Sequence, residues 1–440
     1  AFGLHSVHQA SRRFPVCLMV KLPMRGFGGV WLVTAALLAA TCAELETRAR
    51  VSSAQAERTA AASSADRMDR GNSTQSLHPL AAAGNSSGTM WTGANAYYLW
   101  ALDAADIEAV LRAMQAARIK VLRIFVVTVI SKPPATYPKD GTTAKTCYDI
   151  EHIEVGGFDQ TNHSRLEILD KIDYLIYQAF LKDIKLDIAL HDRYSLGTIL
   201  SDGYVSKYHL PTGAADKQDL SGFYNNPKAA VDFDNRLAFL LQHVNPYLKK
   251  PWGFLGEAIF SVGIENEAQG HLKDAAHGVN PGWWCARARA MKPYVGGGVQ
   301  ISLGGTWDLQ SAIDNKENFA CADIDIISVH SYGWAGANYT HLIGKLGTIA
   351  SLAMEANPPQ RVIFEEFGQA GPKQTQRGVT LGDWMAAVNS VGIPFMPWQL
   401  MKPGNTCVHC MNFWIGDGSW TQLVKWTAIA AQTPGRFSWP

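Results

Sequence analysis

The sequence predicts a single (β/α)8 barrel, and three observations predict it. Eight short apolar or β-branched runs follow Gly88, at residues 91–97, 121–127, 186–190, 259–264, 299–303, 326–329, 362–364 and 393–396. Longer segments of helical period lie between them, among them 105–117 and 166–181, and strands that alternate with helices pair in parallel. Chemically useful side chains stand at the C-terminal ends of most of these runs, which is where a barrel of this kind gathers its site. A doubly wound open sheet is the alternative. It would carry a glycine-rich phosphate turn after its first strand, and GANAYYLW is not one.

Composition narrows the function. With 39 Lys+Arg against 38 Asp+Glu the net charge is +1, so a polyanion-binding surface is not the main feature and no nucleic-acid partner is expected. Hydrophobic residues at 47% and charged residues at 18% allow a large core and exclude both a disordered chain and a multispanning membrane protein. Fourteen Trp and fourteen Tyr exceed what that core needs, and surplus aromatics can line a cleft.

The segments before the barrel are set apart by composition. Met24 and Arg25 precede an apolar run that ends in small residues at Ala40 and Ala43, so residues 24–43 read as a secretory signal and 1–23 as extra sequence upstream of it. An uncleaved anchor is the rival, but the most apolar part, 30–40, is short for a span of ~20 residues. Residues 44–88 are rich in Ala, Ser and Arg, bury too little to offset their ordering entropy, and read as a flexible linker, with helix as the alternative for the Ala-rich part. The catalytic domain is then 89–440. Sequons at Asn72, Asn85, Asn162 and Asn338 agree with an extracellular, secreted protein, expected to be a monomer with no membrane association beyond its signal.

Five cysteines remain after the leader: Cys147, Cys285, Cys321, Cys407 and Cys410. The odd number leaves at least one unpaired or joined to another chain. No second CxxC completes a zinc site with Cys407 and Cys410, so that turn reads as a loop braced by a disulfide, local or to Cys285 or Cys321. His152, Glu154 and His163 fit no standard metal spacing and read as a solvated loop. Neither metal nor cofactor is called for.

The strand ends carry Arg123, His191, Asn266 with Glu267, His330 with Tyr332, Glu366, and Trp398. Isolated charges are costly there, so groups converging from six of the eight ends imply a site. Glu267 and Glu366 end the fourth and seventh strands, and two carboxylates facing each other across a cleft can split a glycosidic bond. Strand alternation sends Glu365 and Glu366 to opposite sides and puts Glu265 on the side of Glu267. Glu265 and Glu365 therefore read as structural, each beside a basic or amide neighbour.

This ordered set resembles glycoside hydrolase family 5 over residues 91–398. Asn266-Glu267 is similar to the family's Asn-Glu-Pro, with Ala268 in place of Pro, and implies Glu267 as acid/base and Asn266 as ligand of the sugar 2-hydroxyl. Glu366 in Glu-Phe-Gly resembles the nucleophile motif. The other positions imply Arg123 and Tyr332 bonded to Glu366, Trp398 as a face for the sugar, and His191 and His330 as donors around it. On this reading the charge of Glu366 raises the pKa of Glu267 until the glycosyl-enzyme forms. Aromatics after strand ends, Tyr97, Tyr98, Trp100, Trp283, Trp284, Trp307, Trp334, Trp414 and Trp420, could form a stacking groove for a polysaccharide.

GANAYYLW together with FEEFG looks most like the β-mannanase branch. The resemblance thus implies a retaining endo-β-glycanase acting on mannan or glucomannan, that is, an endo-1,4-β-mannanase. A cellulase-type or other β-glucanase with the same mechanism is one alternative. A non-catalytic carbohydrate-binding barrel is another, against which both carboxylates are present.

Overall fold

The computed structural model describes residues 88–131, 135–137, 145–147, 150–153, 163–198, 201–332, 339–368, 374–401 and 411–439. Seven strands make one parallel sheet in chain order: β1 (Gly93–Asn95), β2 (Val121–Phe125), β3 (Lys185–Ala189), β4 (Ile259–Gly263), β5 (Gln300–Ser302), β6 (Ile326–Tyr332) and β7 (Arg361–Gly368). Phe395 bridges in parallel both to Phe364 of β7 and to Thr92 beside β1. The eighth expected run therefore closes the ring through bridges instead of a full strand. The fold is a (β/α)8 barrel, and all eight runs lie where the sequence predicted staves, with β6 and β7 longer than expected at their C-terminal ends.

Local sequence explains the helices that pack outside. In α1 (Ala104–Ala116) Asp103 accepts from the Asp106 N–H as N-cap, while Ile107, Val110, Leu111 and Met114 are buried. That spacing of three and four residues forms the stripe that faces the sheet. After α2 (His163–Phe180), α3 (Pro227–Gln242) opens with an Asn226 cap and Pro at its first position, a start favoured because that N–H has no intrahelical partner. Two antiparallel ladders between β2 and α2, Thr128–Ser131 with Ile150–Ile153 and Ala135–Tyr137 with Lys145–Cys147, were not anticipated.

The barrel lumen is layered. Val121, Phe260, Ile326, Ile363 and Met396 form a separate buried apolar cluster near the N-terminal ends of their strands. Above it the inward residues turn polar: Arg123, Asp187, Ser261, Ser302, Ser328 and Glu365 are all fully buried or nearly so. The apolar layer seals the bottom, and the polar layer carries the site.

Cys285, in α4 (Trp283–Met291), is joined to Cys321. Neither is therefore available to brace Cys407 or Cys410, which corrects that option. Cys407, Cys410, Glu154, Trp334, the four sequons and the segments 1–23, 24–43 and 44–87 lie outside the described residues. Among the described residues no helix is long and apolar enough to cross a membrane.

Candidate active site

Arg123 organises the centre of the lumen. Its Nη1 donates to Glu366 Oε1 and to Asn95 Oδ1 at 3.2 Å. Its Nη2 donates to Asn266 Oδ1 and to the Gly304 carbonyl, each at 3.0 Å, and lies 3.1 Å from Glu365 Oε2. Asp187 Oδ2 is 3.7 Å from Nε. Burial alone would weaken the guanidinium's hold on its proton, but the charges of Glu365, Glu366 and Asp187 outweigh it and drive the pKa up.

Glu366 is held as expected, by Arg123 and by the Tyr332 hydroxyl, which donates to Oε2 at 2.5 Å. Burial pushes this carboxyl up, Glu267's charge adds to that, and His330, Arg123 and Tyr332 pull against it; the net direction is up. Glu365 is not on the opposite side. The β6–β7 register pairs Val329 with Phe364 but His330 with Glu366, a bulge at Glu365. The extra residue breaks the two-residue alternation, so Glu365 and Glu366 both reach Arg123. Glu365 also faces His330 Nε2 at 3.0 Å and Ser302 Oγ at 3.4 Å.

Glu267 sits just past β4 at φ +48°, a left-handed conformation uncommon outside glycine and concentrated at functional sites. Its Oε1 is 2.9 Å from His330 Nδ1, and its Oε2 accepts from the Tyr194 hydroxyl at 2.6 Å. Burial raises this carboxyl, but the His330 bond and charge, with the Tyr194 hydroxyl, outweigh it, and the net direction is down. The expectation that Glu366 holds Glu267 protonated in the free site is thereby corrected. Both Glu267 oxygens face donors that favour the ionised form.

The two histidines differ from their expected roles. His191 is fully buried, with Nδ1 2.5 Å from Glu265 Oε1 and Nε2 3.1 Å from Asp202 Oδ2; both nitrogens are committed to carboxylates, so it supports the wall and does not face a sugar. Tyr224 donates to the other oxygen of Glu265 at 2.7 Å, which makes Glu265 structural as expected. His330 is buried too, between Glu267, Glu365 and Glu366, and is a link between carboxylates before it is a sugar donor. Burial disfavours its charge, but the surrounding carboxylates win and push its pKa up to about 9.

Asn266 donates from Nδ2 to Asp192 Oδ1 at 2.9 Å and accepts from Arg123. One amide hydrogen is thus used, and the second is the one a sugar hydroxyl could engage. Trp398 is half-buried and stacks on Tyr97 with ring centres 5.5 Å apart and planes at 7°. The aromatic groove is corrected in part. Tyr97, Tyr98, Trp100, Trp283, Trp284 and Trp420 are buried packing anchors, whereas Trp307 is 40% exposed.

Several contributors escaped the sequence reading: Tyr194, Asp187, Asp202 and the pair Gly304-Gly305. The glycines had a signal, a double Gly directly after an apolar run. Gly305 has φ +96°, and a Cβ there would land on the His330 imidazole, so only glycine lets the histidine reach between the carboxylates.

Ligand atoms of Glu267, His330 and Glu366 lie within 4.8 Å of one another, close enough for a cation to bridge. The donor set argues against it: a cation would meet the Arg123 guanidinium on Glu366, and both His330 nitrogens already face carboxylates. The same spacing suits two carboxylates acting on one atom placed between them.

The fold is shared with solved glycoside hydrolases. The structure overlays on an endo-1,4-beta-mannanase from Rhizomucor miehei with TM-score 0.58 at 19% identity, covering 78% of this chain and 95% of that one. An endo-beta-1,4-mannanase from Thermotoga petrophila matches with TM-score 0.55 at 16% identity, over 78% and 77% of the two chains. A family 5 mannosidase from Rhizomucor miehei gives 0.53 at 13%, over 79% and 94%. No protein-family model matches the sequence, and no curated protein matches it either.

Proposed function

We propose that this chain is a secreted, retaining endo-β-glycanase of the glycoside hydrolase family 5 type, and that its substrate is β-1,4-mannan or glucomannan. One observation carries the reading: Glu267 and Glu366, each held by its own donors, bring carboxylate oxygens within 4.8 Å of each other. Retaining enzymes keep their carboxyl groups about 5–5.5 Å apart, whereas inverting ones need about 6.5–9.5 Å to admit a water.

Glu366 attacks the anomeric carbon while the bond to the leaving oxygen breaks and that oxygen takes a proton from Glu267. In the free site Glu267 is ionised beside a charged His330, so the pair holds one proton across the 2.9 Å contact, and transfer from Nδ1 to Oε1 supplies the acid. Once Glu366 is esterified its negative charge is gone. Glu267 then removes a proton from water, the water oxygen attacks the anomeric carbon, and Glu366 leaves as carboxylate. Every atom and charge is accounted for with no cofactor.

The mannan assignment is supported by the names of the overlaid structures and by the GANAYYLW and FEEFG motifs. Secretion is supported by the Cys285–Cys321 disulfide, a bond at home in oxidising compartments. Product profiling on mannan, glucomannan, carboxymethylcellulose and laminarin is the test, with short manno-oligosaccharides expected. Robust cleavage of a β-glucan with none of any mannan would overturn the substrate and leave the mechanism standing.

A further inference from the structure

We propose that Tyr194 is a positioning residue that aims the Glu267 carboxyl and favours its base form, with His271 behind it as the donor that orients the phenol. This rests on Glu267 being the acid/base of a retaining glycosidase, and it deepens that reading.

Arg193–Ser195 form a single helical turn after β3, and the Tyr194 N–H is capped by Asp192 Oδ1 at 3.3 Å. The same Asp192 oxygen accepts from Asn266 Nδ2, Asp192 pairs with Asn266 through a backbone bridge, and the Arg193 N–H donates to the Asn266 carbonyl at 3.2 Å. The loops after β3 and β4 are therefore tied at the residue before Glu267. The Arg193 guanidinium lies 5.3 Å over the Tyr194 ring, which fixes the ring from its other side.

A phenol has one hydrogen. The 2.6 Å contact to Glu267 Oε2 takes it, so the 3.1 Å contact to His271 must be filled by the imidazole, with Nε2–H donating to the phenol oxygen. That polarises the phenol toward Glu267. Burial and Glu267's charge drive the Tyr194 phenol far up, so it stays a donor across the working pH range. His271 is pushed down, by burial first and then by Arg193, with Glu267, Asp216 and Asp308 opposing, so at neutral pH it presents a single N–H. Its ring lies 4.2 Å from the exposed Trp307, at 55°, and this contact holds it in place.

A donor aimed at an ionised carboxylate stabilises that form and lowers its pKa. The groups facing Glu267 are His330, Tyr194, His271 and Glu366, and Tyr194→Phe removes one donor while leaving the other groups in place. On polysaccharide the alkaline limb of kcat/KM reports loss of the proton that His330 and Glu267 share; in the free site that proton rests on His330, so this limb should stay in place. On an aryl glycoside whose leaving group needs no proton, the acid limb of kcat, which reports ionised Glu267, should rise by about one pH unit. His271→Leu should give a smaller rise of the acid limb and is the test if Tyr194→Phe does not fold. A uniform loss at every pH, with the acid limb unmoved, would reduce Tyr194 to packing and overturn the proposal. Glu267→Ala separates the two ideas: failure of azide to restore turnover of the aryl glycoside overturns the acid/base reading itself, whereas azide rescue beside an unmoved acid limb in Tyr194→Phe overturns only the role of Tyr194.

Discussion

Raising the pH from 6.5 to 9.5 should cost the folded protein about 3 kcal/mol through one imidazole. Burial by itself would push His330 toward neutrality, but Glu366, Glu267 and Glu365 surround it and its pKa in the folded chain is about 9 against an ordinary 6.5. The folded state thus binds the proton more tightly than the unfolded chain. The sign follows from linkage: the contribution is fully present below about 6.5 and is lost as the pH climbs through about 9. At about 1.4 kcal/mol per pH unit the difference comes to about 3 kcal/mol. Urea unfolding at pH 6.5 and 9.5 measures it, with His330→Gln as the comparison because glutamine cannot titrate. Groups common to both proteins cancel in the difference between them. The variant should be less stable at pH 6.5, with Glu267 left facing no cation and Glu365 and Glu366 sharing Arg123 alone, and should change much less with pH. Equal pH dependence in both proteins, within about 0.5 kcal/mol, would refute the placement of a charged imidazole among the carboxylates.

Two further outcomes follow from the same geometry. A 2-fluoro glycosyl inhibitor should esterify Glu366 and leave Glu365 free, since Glu365 is closed off by Arg123, His330 and Ser302; peptide mapping by mass spectrometry decides, and label on Glu365 would reverse the assignment. Gly305→Ala should lower kcat at least about 100-fold and stability by about 1–3 kcal/mol, because the new Cβ occupies the place of the imidazole at a positive φ. The control is Gly347→Ala in α5 (Tyr339–Glu355), where a Cβ meets nothing within 4 Å and stability should rise by up to about 1 kcal/mol; wild-type kcat in Gly305→Ala would sink the first of these.

The barrel was legible because strand and helix periods alternate so regularly, and the strand ends were legible because charge is rare in such runs. What could not be read was how side chains at those ends share one another. Glu365 looked as though it pointed away because alternation assumes an unbroken ladder, and a one-residue bulge is invisible in FEEFG. His191 looked like a sugar ligand because nothing in LDIALH announces that Asp202 and Glu265 would take both of its nitrogens. Tyr194 had no periodic or motif signal at all: it reaches Glu267 through two loops joined in space and separated by 73 positions in the chain. Local pattern encodes where an element lies and which way it runs, whereas the protonation of a buried group depends on partners drawn from the whole ring.

Those partners explain how a lumen lined with acids can serve the proposed reaction, which develops positive charge. Burial and the neighbouring Glu365 push the Asp187 carboxyl well above the carboxylate range, so it adds less negative charge to the cluster than an ordinary carboxylate would. Arg123 and His330 are then the two cations facing Glu267, Glu365 and Glu366. Glu365 lies deeper and engages both cations, so with all three carboxylates ionised the uncompensated negative charge falls on the pair at the mouth. That is where the anomeric carbon of an oxocarbenium-like transition state would sit, and charge fixed in a dry site before the reaction needs no reorganisation to meet it. On this argument the cations of the layer do more than secure carboxylates: they cancel the deeper charge and leave the excess within reach of the substrate.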